Sequence, residues 1–381
     1  MREKLLVFTK RLRERGIPYH LFTWLTPIED HAPFTALSTD GFPAWLMKFI
    51  PQRFKVKYLE MVTYRTAFSH AEKNGLPVFG LTVSSPWGLM LARWFLRFTT
   101  PYAQRILYIG LHGAGADMQI RKRVMFALQL AMKRNGVAGF TTSFQNEMFI
   151  KHQPLKSLPT RSCVIPEAIL YDASTPSSKD RAPILFIAGG DNARRTPIKH
   201  LRETTLNRPF TKILLHEPSV PARDEETIKA LESDATKEVV WTNDYIIGAE
   251  LLARFGGAKY CLVAYAPFFN ATSSIALQSI CCGLPVLISH FPDGTYLGER
   301  FGKIGEFFEY SNPESFKAAI DRLLKWTDAD WNAFAEARAK IINYCGYDRI
   351  VDQCLELIGY PKPEGAEAAT PTTVMASRTP R

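Results

Sequence analysis

Apolar positions along this chain follow two recurring patterns: short continuous runs, and longer stretches in which they return every three or four residues. Residues 4–16 have the second pattern, with Leu5, Leu6, Phe8 and Leu12 on one side and Gly16 as a stop, so they predict a helix. Residues 19–25 predict a strand. A helix over 54–74 ends at Asn74-Gly75, and 77–83 is a short apolar run of strand character. The alternation continues with a helix over 87–98, a strand at 105–111, a helix over 118–134 and strands at 137–142 and 162–165. The segment 166–183 is rich in Pro, Ser and charge, and breaks the pattern. The pattern then restarts with strands at 184–188, 211–216 and 238–241, a helix over 245–256 and a strand at 260–263. A helix over 273–282, a strand at 285–289 and helices over 313–326, 328–342 and 347–359 complete it.

Strands alternating with helices at this spacing imply parallel sheets covered on both faces. The expected class is α/β, with two Rossmann-like doubly wound domains facing a central cleft. Their boundaries are expected at 1–166 and 184–342, with a linker at 167–183, a closing helix at 343–360 and a disordered tail at 361–381. Ligands bind such sheets at the carboxyl ends of their strands. The fold alone does not choose between a transferase, an epimerase and a binding protein. A doubly wound domain usually opens with a strand and a tight loop, whereas this chain opens with a helix. The first strand is therefore expected to be missing, or the true start to lie upstream.

Composition narrows the classes. The 381 residues are 46% hydrophobic and 22% charged, which is ordinary for a globular protein. The 47 Lys and Arg exceed the 37 Asp and Glu, giving a formal charge of +10. Such a surface suits phosphorylated substrates or acidic headgroups, and equally serves as plain solubilising charge. No nucleic-acid recognition motif accompanies it, so no nucleic-acid partner is expected. None of the six cysteines forms a CxxC pair, and no signal peptide is evident, so a reducing, cytoplasmic setting is expected. Aromatic and basic residues interleave in 42–64, where Trp45, Phe49 and Phe54 alternate with Lys48, Arg53, Lys55 and Lys57, and again in 87–97. This is the composition of a segment lying on an anionic membrane, and also of an amphipathic helix packed on a sheet.

Residues 261–289 (CLVAYAPFFNATSSIALQSICCGLPVLIS) read as strand, loop, helix, Gly, strand. Thr272 or Ser273 is a good helix N-cap, and Gly283 suits the left-handed residue after the helix. The N–H groups at 273–275, the helix dipole and the Ser273 and Ser274 hydroxyls form an expected anion site, with Gln278 one turn after Ser274. A diphosphate would fit there. An ordinary βαβ unit whose serines only cap a helix would look the same.

This segment resembles the donor-binding motif of glycosyltransferase family 4, the retaining GT-B enzymes that include glycogen synthases and many bacterial sugar transferases. Its helix ends in "ACG-x-PV", here Cys281 to Val286. PILFIAGGDNARR (183–195) is similar to the family's phosphate-gripping strand and loop, and ELLARFGGAKYCLVAY (250–265) to the helix and strand before the motif. NPESFKAAIDRLLKW (312–326) and NYCGYDRIVDQCLELIGY (343–360) resemble its closing helices. In the N-terminal half, RILYIGLHGAGAD (105–117) resembles the strand ending in a His that touches the donor sugar, and TTSFQNEMFIKHQP (141–154) followed by CVIPEAI (163–169) the approach to the linker.

The resemblance implies a GT-B fold and transfer from a nucleotide-sugar donor to a glycan or lipid-linked acceptor, with retention. It implies no cofactor and no metal, the nucleotide-sugar being a substrate. It points to Gly189 and Gly190 as a close backbone approach to phosphate, Arg194 and Arg195 as the charges that stabilise the leaving diphosphate, and Lys199 as a third. It also points to His112, with Gly113 beside it, as a sugar contact; a His after a strand is otherwise a structural residue. One departure stands out. The family's two glutamates, facing donor sugar and ribose, are replaced by Asn270 and Gln278, which keep shape and accept hydrogen bonds but lose charge. The expected function is a glycosyltransferase of polysaccharide or glycoconjugate assembly. The alternative is a non-catalytic relative that binds nucleotide-sugar or a partner protein.

Overall fold

A computed structural model describes residues 2–23, 34–36, 52–76, 78–80, 106–109, 126, 129–130, 136–157, 161–169, 171, 175–188, 212–216, 238–242, 248–269 and 272–360. The chain divides into two compact units: Met1–Ala168 together with Tyr347–Arg381, and Ile169–Gly346.

The first unit opens with helix α1 (Arg2–Glu14), followed by strands β1 (Leu21–Thr23) and β2 (Phe34–Ala36), which pair parallel. Helix α2 (Gln52–Asn74) buries Phe68 and Ala71. Strands β3 (Val78–Gly80), β4 (Ile106–Ile109), β5 (Gly136–Phe140) and β6 (Arg161–Val164) form one parallel sheet in that order. Helix α3 (Ser143–Lys151) lies between the last two, its first turn capped by the Thr142 hydroxyl, which accepts from Gln145 N at 3.1 Å.

The second unit is built on six parallel strands: β7 (Ile184–Ala188), β8 (Lys212–His216), β9 (Glu238–Thr242), β10 (Tyr260–Val263), β11 (Val286–Ser289) and β12 (Gly305–Phe308). Their spatial order is β12-β11-β10-β7-β8-β9. The four residues of β10 and the four of β11 are all buried, as continuous apolar runs in a sheet covered on both faces must be. Among the described residues five helices belong to this unit: α4 (Gly248–Gly257), α5 (Ser274–Cys281), α6 (Pro292–Phe301) and α7 (Pro313–Leu324) meet the strands, and α8 (Asp328–Cys345) packs on α5 and α6. Helix starts follow capping chemistry. Asn312 accepts from Glu314 N and Ser315 N ahead of Pro313, and Thr327 with Asp330 forms a capping box on α8. The core runs through Phe186, Phe255, Ile280, Leu287, Ile288, Phe334 and Ile341.

Residues 175–183 are fastened to the second unit. The Ser178 N–H donates to Gly283 O at 3.0 Å and its hydroxyl to Lys259 O at 2.7 Å. The Arg181 guanidinium spans Phe255 O, Ala258 O and Pro176 O, and Arg338 joins Cys281 O to Thr175 O. These arginines sit on the carbonyl ends of α4 and α5, where positive charge is favoured. A Cβ on Gly283, whose φ is 82°, would stand 2.8 Å from Pro176 O, so both conformation and space require glycine there. Beyond Gly346 the chain forms α9 (Tyr347–Ile358), which packs on α1 in the first unit. Arg15 pairs there with Asp348 and Asp352.

Four elements escaped the sequence pattern: β2, α3, α6 and β12. Helix α6 carries Gly294 and Gly298 in its interior, which weakens its helical signal. Added methyl groups there would meet the rings of Phe291 and Phe307 at 2.7 Å, so close packing accounts for both glycines. Strand β12 hides behind a buried charge, Glu306, which is 6% exposed. It accepts from Lys303 Nζ at 2.6 Å, Arg322 Nε at 2.8 Å and Trp326 Nε1 at 2.8 Å. Among the described residues no helix is long and apolar enough to cross a membrane.

Burial alone would raise the Glu306 carboxyl, but the three hydrogen bonds and the Lys303 charge outweigh it and hold it below its ordinary value. Because the depression exists only in the folded state, the stabilisation is full above the ordinary glutamate value of about 4.3 and is lost as pH falls below it. Thermal unfolding of wild type should therefore show a falling midpoint on acidification through that range. Glu306→Gln should lower the midpoint at neutral pH and flatten the acid slope.

Candidate functional site

In the second unit the chain runs from β7 outward to β8 and β9, then returns to place β10 on the other side of β7. Strand order therefore reverses between β7 and β10, whose residues pair as Leu185 with Tyr260, Phe186 with Cys261 and Ile187 with Leu262. At such a reversal the two following loops part to opposite faces of the sheet and leave a crevice at the carboxyl ends. Gly189 and Gly190 directly follow β7, and residues 264–273 directly follow β10. Both loops singled out in the sequence leave from this point.

The β10 loop is held by aromatic packing and by Ser289 at the end of β11. The Ser289 hydroxyl accepts from Tyr265 N at 2.8 Å and donates to Tyr265 O at 2.7 Å. The Tyr265 and Phe269 rings stack at 4.0 Å and 8°. Phe291 meets both edge-on, at 5.2 and 5.7 Å. A turn closes with Phe269 N donating to Ala266 O at 2.9 Å. This turn leaves Phe268 turned outward.

Helix α5 begins at the far end of the loop. Of the two possible caps, the structure uses Ser273: its hydroxyl accepts from Ala276 N at 3.1 Å, and its carbonyl accepts from Leu277 N. Ser273 is 1% exposed, and its own N–H donates to Asp293 Oδ2 at 3.3 Å. The donor set is thus narrower than the sequence implied. Ser273 spends hydroxyl and N–H inside the protein, and the N–H groups of Ser274 and Ile275 are those without an acceptor among the described residues. Thr272 sits just before them, with Oγ1 buried and unpartnered. Gln278 is buried on the same helix, at 8% exposure.

Asp293, on the first turn of α6, was not visible as a site residue in the sequence. Pro292-Asp293-Gly294 has the composition of a turn, and the signal that identifies it is an acidic residue directly after a helix-initiating Pro. Its carboxylate is 4% exposed and lies at the starts of both α5 and α6, where two helix dipoles favour negative charge.

At the other end of α5, the Cys281 and Cys345 sulfurs lie 3.8 Å apart. The Cys345 contact and burial both push the Cys281 thiol up, which keeps it protonated and unreactive. All six cysteines are free and buried. The one Asp-x-Asp pair in the chain, Asp328 and Asp330, serves the start of α8: Asp328 pairs with Lys179 at 2.8 Å and Asp330 accepts from Thr327. Among the described residues no cluster of three His, Cys, Asp or Glu could hold a metal ion. His112, Gly113, Gly189, Gly190, Arg194, Arg195, Lys199 and Asn270 lie outside the described residues, as do all of 87–97 and 42–51.

No family model matches this chain, and no curated protein matches it. Solved structures do. A glycosyltransferase from Rickettsia africae ESF-5 aligns with 93% of this chain and 93% of its own, at 12% identity and a TM-score of 0.66. Sucrose-phosphate synthase from Thermosynechococcus elongatus aligns over 92% and 90%, at 17% identity and a TM-score of 0.60. An alpha,alpha-trehalose-phosphate synthase (UDP-forming) from Burkholderia xenovorans, in complex with glucose-6-phosphate, aligns over 79% and 77%, at 11% identity and a TM-score of 0.57. The fold of this chain is therefore the GT-B fold, two doubly wound α/β units.

Removing the Asp293 carboxylate leaves the Ser273 N–H buried without an acceptor, a loss of about 1–3 kcal/mol. Asp293→Ala should lower unfolding free energy in urea by that amount. Asp293→Asn, which keeps an acceptor oxygen, should lose less than half as much.

Proposed function

We propose that this chain is a glycosyltransferase that moves a sugar from a nucleotide-sugar donor to a glycan or lipid-linked acceptor. Retention of configuration and a place in polysaccharide or glycoconjugate assembly complete the reading. The observation that carries it is the reversal between β7 and β10, with a helix N-terminus supplied by the loop that leaves β10. A pyrophosphate on the Ser274 and Ile275 N–H groups, with the Thr272 hydroxyl beside it, meets two donors already aligned by the helix.

Arg194 and Arg195, in the loop after β7, bring the compensating charge. As the bond from sugar carbon to diphosphate oxygen breaks, negative charge grows on the leaving group, and the arginines and helix amides stabilise it. The acceptor hydroxyl adds to the same face of the sugar carbon and gives its proton to the departing diphosphate. Neither a metal nor a cofactor takes part. His112 and Asn270 hold sugar hydroxyls and Gln278 the ribose, the amides accepting hydrogen bonds without charge. The enzyme works in the cytoplasm against the inner face of an anionic membrane, held there by the basic and aromatic segments 42–64 and 87–97.

A thermal-shift screen against UDP-, GDP-, ADP- and TDP-sugars tests the donor reading. One nucleotide should raise the midpoint, since ligand at a hundredfold of its Kd adds about 2.7 kcal/mol. Silence across the whole panel would remove the assignment. For the membrane surface, flotation with anionic liposomes should retain the protein at low salt and release it at high salt. Protein left at the bottom of the gradient under both conditions removes that part.

A further inference from the structure

Three large apolar side chains stand exposed among the described residues, Leu76, Phe126 and Phe268, and Phe268 is the most exposed at 60%. It alone of the three belongs to the second unit, and it lies in the loop that leaves β10 at the strand reversal. Four residues further on is Thr272 with its buried, unpartnered hydroxyl, and the next residue caps α5. An aromatic ring left in water at that place in the fold calls for an explanation.

The loop itself prevents Phe268 from turning inward. The aromatic packing of the loop is made by its neighbours instead, with Tyr265 and Phe269 stacked and Phe291 against their edges. Pro267 stiffens the backbone before it, the Ala266–Phe269 turn closes around it, and Ser289 fixes Tyr265 from both sides. The ring is thus presented by a preorganised loop, so little conformational freedom remains to be lost when something lies against it. Rigid aromatics of this kind concentrate binding energy.

A single ring is too small to dock a macromolecule, since stable interfaces cover about 800 Å² on each partner. Its size matches one ring of a small ligand. We propose that Phe268 is a stacking face for a ring of the phosphorylated ligand whose anion sits at the start of α5, either a planar base or the apolar face of a sugar. A sugar's apolar face offers weakly positive C–H bonds to the negative face of the ring, and a base stacks on it with the two rings offset. The proposal rests on the donor reading given above and adds to it a residue that decides how tightly the ligand is held.

Titration calorimetry of wild type, Phe268→Ala and Phe268→Tyr with UDP-glucose, GDP-mannose, ADP-glucose and TDP-glucose, and with the parent nucleoside diphosphates, tests it. Because the side chain is exposed, Phe268→Ala should unfold at the wild-type temperature, which separates a binding loss from a folding defect. For whichever nucleotide binds wild type, Phe268→Ala should bind about tenfold more weakly and Phe268→Tyr within about twofold of wild type. A loss shared by sugar nucleotide and diphosphate assigns the ring to the base; a loss confined to the sugar nucleotide assigns it to the sugar. Unchanged binding by Phe268→Ala overturns the proposal and leaves the donor reading standing. Wild type that binds none of these compounds overturns both.

Discussion

The pairing of β7 with β10 is the constraint on which the rest of the second unit depends. The chain places two strands on one side of β7 and three on the other, and only between β7 and β10 does the strand order reverse. Continuous apolar runs such as ILFIA and VLIS can form the middle of a sheet only if both faces are covered. Once the sheet is covered on its faces, its carboxyl edge is where polar chemistry can reach water and ligand. The loop after β10, with a rigid aromatic base and a helix start at its end, occupies that edge.

Charge inside this unit is placed with its partners. Glu306 enters the strand β12 only with Lys303, Arg322 and Trp326 around it, and Asp293 enters the core at the starts of two helices. Arg181 and Arg338 mirror that arrangement at the helix ends, where carbonyls gather negative charge. The phosphate seat proposed at the start of α5 applies the same rule to an external anion. The buried Asp293 also shows its limit: the protein has already claimed the Ser273 N–H for its own carboxylate, and among the described residues only the Ser274 and Ile275 N–H groups that follow lack an acceptor.

Much of this was legible in the sequence, and the exceptions have physical causes. Five of the six strands described in the second unit were readable because parallel, doubly covered strands are apolar without interruption; β12 was not. The start of α5 was readable to within one residue, Thr272 or Ser273, because an apolar helix follows and ends at Gly283, whose φ of 82° is the expected left-handed residue. Helix α6 and strand β12 were not, because Gly294, Gly298 and Glu306 are chosen by tertiary neighbours that sequence periodicity does not see. Asp293 was hidden for the same reason, its role depending on Ser273 twenty positions earlier. Phe268 and Phe269 adjoin in sequence with nothing to say which is buried; the stacked Tyr265–Phe269 pair goes with Phe269 inside and Phe268 outside.

The six free thiols, all enclosed, carry a consequence for handling the molecule. Alkylating reagents meet nothing to react with while the chain is folded, so the native protein is chemically silent toward them. Cys163 and Cys354 belong to one unit, and Cys261, Cys281, Cys282 and Cys345 to the other. The order in which these two sets become labelled therefore reports which half of the molecule opens first, without any probe having to be introduced.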